Sequence, residues 1–158
     1  MKYYVQQAVL DAGVKILFAA VYGMDNHGES EAWQAYRTER LAALYAAYAD
    51  VDVHADPILE GFNLLHDQTG VKRRKNIPAS ENLIKHLKKH HDMYYINQAV
   101  DIYNLISMES KLCLGVHDIQ RTEGNMTLRF TDGSERFVPI GQTEPRSEER
   151  RVGKECRS

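Results

Sequence analysis

Two cysteines, Cys113 and Cys156, are too few for a disulfide framework, which makes a reducing cytoplasm the simplest compartment. No apolar run approaches the ~20 residues of a membrane-spanning helix. The opening Met1-Lys-Tyr-Tyr-Val-Gln-Gln has no uninterrupted apolar core of the secretory kind. The Gly-x-Ser-x-Gly elbow, the phosphate-binding loop and the dinucleotide fingerprint are missing, so those hydrolase, NTPase and dehydrogenase signatures are excluded. Internal repeats and low-complexity segments are absent too. No cysteine or carboxylate completes a tetrahedral set around the close pair His86 and His90, so neither a metal nor a cofactor is expected. What is present is ordinary: 158 residues, 43% apolar and 27% charged, the composition of one soluble domain long enough to bury a core.

One stretch organises the rest, Asn97-Gln-Ala-Val-Asp-Ile-Tyr-Asn-Leu-Ile-Ser-Met-Glu-Ser-Lys111. At about 100° per residue, Ala99, Ile102, Tyr103, Leu105 and Ile106 cover most of the circumference, which predicts a largely buried helix. Asn97, Asp101, Asn104 and Ser107 recur along one side, and Lys111 closes the row. An unpaired buried polar group costs about 1–3 kcal/mol against a total stability of about 5–15 kcal/mol, so this stripe must find partners or water. Two readings stay open: a hydrogen-bonded anchor to the surrounding chain, or a wall of a ligand pocket.

In chain order, Lys2–Val5 and the near-continuous apolar run Lys15–Tyr22 read as strands, the second as a buried one. Gly23–Gly28 is a turn. Ser30 caps a helix with Glu31 in its first turn, and Trp33, Tyr36, Leu41, Leu44 and Tyr48 share its core-facing arc. Asp56-Pro57 starts the next helix, with Ile58, Phe62 and Leu65 inward and Gly70 as its left-handed stop. After the basic connector 71–78, Ser80 is expected to cap a helix over Glu81–His91. There Leu83, Ile84, Leu87 and a packed His90 face in, and Lys85, Lys88 and Lys89 face out. Met93–Ile96 reads as a short extended piece. Met126–Phe130 and Arg136–Ile140 form a predicted hairpin across Thr131-Asp-Gly-Ser134, with Pro139 holding the second strand to an edge or end.

The last thirteen residues, Arg146-Ser-Glu-Glu-Arg-Arg-Val-Gly-Lys-Glu-Cys-Arg-Ser158, look like a sequencing-library adapter translated in frame. The expectation is a native domain over 1–145, incomplete at its C-terminus, and a non-native, disordered tail over 146–158. Without that tail 15 basic and 19 acidic residues remain, and the net charge moves from −2 to −4. On a chain that is acidic overall, the cationic runs Lys72-Arg-Arg-Lys75 and Lys85–His91 imply an asymmetric field able to draw a polyanion such as a tRNA backbone; solvated faces are the alternative. Gly115-Val-His117-Asp118 follows the central helix directly. Gly115 permits close backbone approach. His117 can orient a water or titrate near neutrality, and Asp118 can equally be a loop-capping residue. Cys113 sits in an apolar run and reads as inert.

Tyr95-Ile-Asn-Gln-Ala-Val-Asp-Ile-Tyr-Asn104 resembles the central helix of the B3/B4 editing domain in the bacterial phenylalanyl-tRNA synthetase beta chain, and more closely that of freestanding B3/B4 proteins. Trp33 with Ala35-Tyr36-Arg37, Ile77-Pro-Ala-Ser-Glu81, Ser107, Gly115, Asp118 and Gly124-Asn-Met-Thr-Leu-Arg129 extend the likeness over about residues 1–145. The resemblance implies an α+β fold, a three-layer β/β/α domain with mixed or antiparallel sheets and a largely buried central helix. It implies a tRNA or aminoacyl-tRNA partner, no membrane, and hydrolysis in trans of a mischarged aromatic aminoacyl ester; a non-catalytic RNA- or protein-binding module, or a synthetase fragment, is the alternative. Asn104, His117 and Asp118 would be catalytic, with Asp101, Ser107, Gly115 and Arg129 at the substrate. Lys72, Arg73, Arg74, Lys75, Lys85, Lys88 and Lys89 would meet RNA. The chain departs from the family where Gly115 replaces the synthetase's pocket histidine and Cys113 a usual proline. With the synthetase's tyrosine-reading glutamate falling beyond Pro145, the expectation is weak folding and little activity. Oligomeric state, amino acid and tRNA are left open.

Overall fold

The structure is a computed structural model and describes residues 1–28, 30–131, 136–137 and 146–147. Over these residues the fold is α+β and mostly helical. Five helices run in order: α1 (Gln7–Asp11), α2 (Glu31–Tyr48), α3 (Pro57–Gln68), α4 (Ala79–His90) and α5 (Gln98–Ser110). Strand β1 (Tyr3–Val5) pairs in parallel with β2 (Met126–Leu128), Tyr3 opposite Met126 and Val5 opposite Leu128. A second, antiparallel pair joins β3 (Arg136–Phe137) to β4 (Arg146–Ser147).

Helix starts follow capping chemistry. The Ser30 Oγ accepts from the Trp33 amide at 3.1 Å and the Asp56 carboxylate from those of Ile58 and Leu59, while Asn97 Oδ1 takes the Val100 amide at 3.0 Å. Gly70 provides the left-handed stop after α3 at φ 72°. The core lies among α2, α3, α4 and α5, with Trp33, Leu44, Leu59, Ile84, Leu87, Leu105 and Met108 at its centre. The Tyr48 hydroxyl, buried in it, donates to the Met108 carbonyl at 2.6 Å.

Several expectations need correction. Lys15–Tyr22 is not a strand: it is irregular, and Leu17 is 90% exposed. An apolar run becomes a buried strand only between neighbouring strands, and β1 takes β2 instead; Phe18 approaches β1 through its ring, stacked on Tyr3 at 4.6 Å. Met126–Leu128 likewise finds β1, and Arg136–Phe137 finds Arg146–Ser147, so among the described residues the two predicted hairpin strands pair elsewhere and not with each other. Its turn residues 132–134 and Pro139 lie outside the described residues, as does the expected tail apart from 146 and 147. Met93–Ile96 has no regular structure; Met93 is buried in the core instead.

Helix faces also rotate. Tyr36 and Ile58 are exposed, and the inner face of α3 is carried by Leu59, fully buried, and His66. Ser80 does not cap α4. Pro78 precedes the helix, and Ser80 is fully buried inside its first turn, its Oγ 3.7 Å from Cys113 Sγ. His90 is exposed and stacks on His86 rather than packing inward. The central helix α5 is half-buried, not entombed: Val100, Leu105 and Met108 are inside while Ile106 is exposed.

Candidate functional site

Two residues of the polar row on α5, Asp101 and Ser107, are fully buried. Asp101 is fully buried, and Arg37 Nε donates to its Oδ2 at 2.6 Å. Arg37 reaches two further acceptors, the Met93 carbonyl at 2.5 Å and Asp92 at 3.2 Å, and so ties α2 to α5 and to the segment before it. Ser107, also buried, donates to the Leu112 carbonyl at 2.5 Å. Lys111, in a left-handed conformation after α5, bonds the Asp56 carboxylate that caps α3. Four of the five polar positions therefore have structural partners: Asn97 as cap, Asp101, Ser107 and Lys111. Asn104 differs. It is half-buried, and its side chain makes no hydrogen bond among the described residues.

The turn after α5 stays open. Gly115, His117 and Asp118 are exposed. Asp118 Oδ1 accepts from the Gln120 amide at 2.9 Å and caps the short 3-10 turn Ile119–Arg121; its other oxygen lies 3.6 Å from Arg121 Nε. Arg129 is exposed beyond β2, with Nη1 on the Phe130 carbonyl at 3.3 Å.

The basic residues divide into used and unused. Arg73, in the 3-10 turn Arg73–Lys75, clamps Asp67 and Glu60 of α3. The bond from Arg73 holds the Asp67 carboxyl below its ordinary value, and the same pair raises the Arg73 guanidinium further. Lys85 Nζ lies 2.5 Å from buried Glu81, and Lys88 donates to the Val51 carbonyl at 2.6 Å. Lys72, Arg74 and Lys89 are exposed with no side-chain hydrogen bond or ion pair among the described residues. A cleft of about 410 Å³ opens between α3 and α4, lined by Arg73, Arg74 and Lys85 together with Glu60, Glu81 and His54. A second, of about 460 Å³, lies between the end of α3 and Phe130. Neither lining includes Asn104, His117 or Asp118.

Three elements of the arrangement were missed from sequence, namely the Arg37–Asp101 pair, the Lys111–Asp56 bond and buried Glu81 with its Lys85 partner. The first was signalled: Arg37 stands four residues from both Trp33 and Leu41, on the buried arc of α2, where a cation demands an anion. Lys111 and Asp56 carry no such local mark. No group of three or more histidines, cysteines or carboxylates suited to a metal occurs among the described residues, and none of their helices is long and apolar enough to cross a membrane. The family model of the B3/4 domain matches residues 68–152, more than half of the chain, across α4, α5, the turn after it and β2. No curated protein and no solved structure matches the chain.

Proposed function

Since the chain belongs to the B3/4 domain family, we propose that it is a tRNA-binding module of the phenylalanyl-tRNA synthetase beta-chain type, a three-layer β/β/α domain that handles aminoacyl-tRNA. The single observation that supports binding is that Lys72, Arg74 and Lys89 are three exposed cations with no ion pair to a carboxylate among the described residues. Phosphates replace the counterions such cations would otherwise hold, so affinity falls with salt. Arg73, Lys85 and Lys88 are committed to protein partners, which leaves them a smaller part in drawing RNA; Lys75 lies on the same turn as Arg73. Filter binding of tRNA across a salt series tests this. The full chain binds with a steep salt dependence, and reversing Lys72, Arg74 and Lys89 to glutamate reduces the slope of log affinity against log salt by about 2. Salt-independent binding, or none, overturns the reading.

A second reading, hydrolytic editing, is favoured by Asn104, the position on the polar side of α5 left without a structural hydrogen bond among the described residues. An aminoacyl ester is already activated, so a positioned water and a donor to the developing oxyanion suffice. Water adds to the ester carbonyl, the bond to the ribose oxygen breaks, and that oxygen takes up the proton. In this scheme the Asn104 amide is the donor. His117 and Asp118, on the exposed turn after α5, order water, Gly115 lets the ester approach, Arg129 meets the substrate from just beyond β2, and Asp101 and Ser107 hold the helix that presents Asn104. Deacylation of tyrosine-charged phenylalanine tRNA is the measurement. Asn104→Ala slows it by roughly 100-fold, the cost of one oxyanion donor; equal rates remove Asn104 from the chemistry, and intact ester with wild-type protein leaves a binding module alone.

A further inference from the structure

The end of α4 carries a row of rings that no role above uses. The His86 and His90 imidazoles, one turn apart, stack with centroids 4.4 Å apart and 29° between planes. The Tyr94 ring, from the following loop, extends the row at a tilt, 4.5 Å from His86 with 39° between planes. Tyr94 is 74% exposed, and Ile96 beyond it is exposed too. On the other side of the helix end, His91 lies on Tyr45 at 4.1 Å, which fixes the turn that launches the loop. Lys89, three residues after His86 on α4, is exposed, and Lys88 is anchored on Val51, so the last turn of α4 is cationic. Asp92, the nearest carboxylate in sequence, is held by Arg37 at 3.2 Å.

A ring that tertiary packing wanted would be covered, and this one is braced from behind and left open in front. Burial, with neighbouring His90 adding to it, holds His86 below the ordinary imidazole value, so Tyr94 rests on a neutral ring near pH 7. An exposed aromatic ring near a helix end rich in positive charge matches one chemistry well: a nucleobase, whose face stacks on aromatics while its phosphate seeks a cation. A base inside a duplex has both faces covered, so the row selects unpaired nucleotides.

We propose that the Tyr94–His86–His90 row is a stacking site for an unpaired nucleotide of the bound RNA, with Lys89 taking its phosphate. The proposal rests on the tRNA-binding reading and adds which part of the RNA is taken and where. The site stacks any base without reading its edges and favours single strands over duplex.

The test is fluorescence anisotropy of the full chain with two probes, a short fluorescein-labelled oligoadenylate and a blunt RNA duplex of the same length. Wild type binds the oligoadenylate more tightly than the duplex. Tyr94→Ala weakens oligoadenylate binding roughly 10-fold, the loss typical of one base–aromatic stack, and leaves duplex binding and the unfolding midpoint unchanged. Tyr94→Phe, which keeps the ring, binds as wild type. Oligoadenylate binding untouched by Tyr94→Ala, or a loss of both probes alike, overturns the stacking site while tRNA binding stands. Failure of wild type to bind either probe or tRNA overturns both.

Discussion

At the residue scale, Asp101 and Asn104 stand three positions apart on one helix and do different work. Asp101 is fully buried against Arg37; Asn104 is half-buried and unbonded among the described residues. Taking a charge out of water is costly, and removing one partner of a buried pair leaves the other uncompensated. Asp101→Ala is therefore expected to cost about 3 kcal/mol in urea unfolding, the lower end for a broken buried pair because Asp92 stays near the guanidinium. Replacing both partners, Asp101→Leu with Arg37→Met, recovers most of that loss. Recovery of folding without recovery of function would separate support from substrate contact at Asp101. The sequence made the polar row visible but not its direction, because periodicity assigns a side chain to an arc and leaves open what the arc faces. Arg37 gave the missing clue, a cation on the apolar arc of α2.

At the element scale, what could be read was what is local. Ser30, Asp56-Pro57 and Asn97 mark helix starts through bonds to amides two or three residues on, so those starts stand in the sequence itself. Ends were harder. Helices α4 and α5 stop at His91 and Lys111, both left-handed with φ near 60°, where glycine or asparagine would have announced the stop. Strands were hardest. Lys15–Tyr22 has the composition of a buried strand and no ladder, whereas Tyr3–Val5, short and half-buried, finds Met126–Leu128 from the far end of the described chain. A strand is defined by its neighbour, and no local pattern names the neighbour. The Asp-Gly at 132–133 is a sound turn signal, yet the flanking residues pair elsewhere, with β1 and β4.

At the scale of the molecule, the core among the described residues is built from the helices α2 to α5, with β1 and β2 outside it, so stability depends on what locks these helices together. One lock crosses the bundle: Lys111, after α5, bonds Asp56, which caps α3. Burial pushes the Asp56 carboxyl upward, but the Lys111 bond and the Leu59 and Ile58 amides outweigh it, and the net shift is downward. The bond to Asp56 is the largest influence on Lys111, and its ammonium is raised. The signs give a window. A lowered carboxyl stabilises fully above its unfolded value of about 3.9 and loses that as pH falls through the folded value. A raised ammonium stabilises fully below about 10.4 and loses that as pH rises through the folded value. His66 adds an earlier acid step: burial lowers it, so its contribution is present above about 6.5 and fades as pH falls toward its folded value. Urea midpoints should therefore be highest in the alkaline half of the range between these limits, decline gently below about pH 6.5 and steeply below about pH 4. Asp56→Asn keeps a capping oxygen for α3 while removing the charge. It should cost roughly 1–2 kcal/mol at neutral pH, flatten the decline below about pH 4 and leave the His66 step in place. An unchanged acid limb in Asp56→Asn would mean that the link between α3 and α5 does not set the molecule's acid stability.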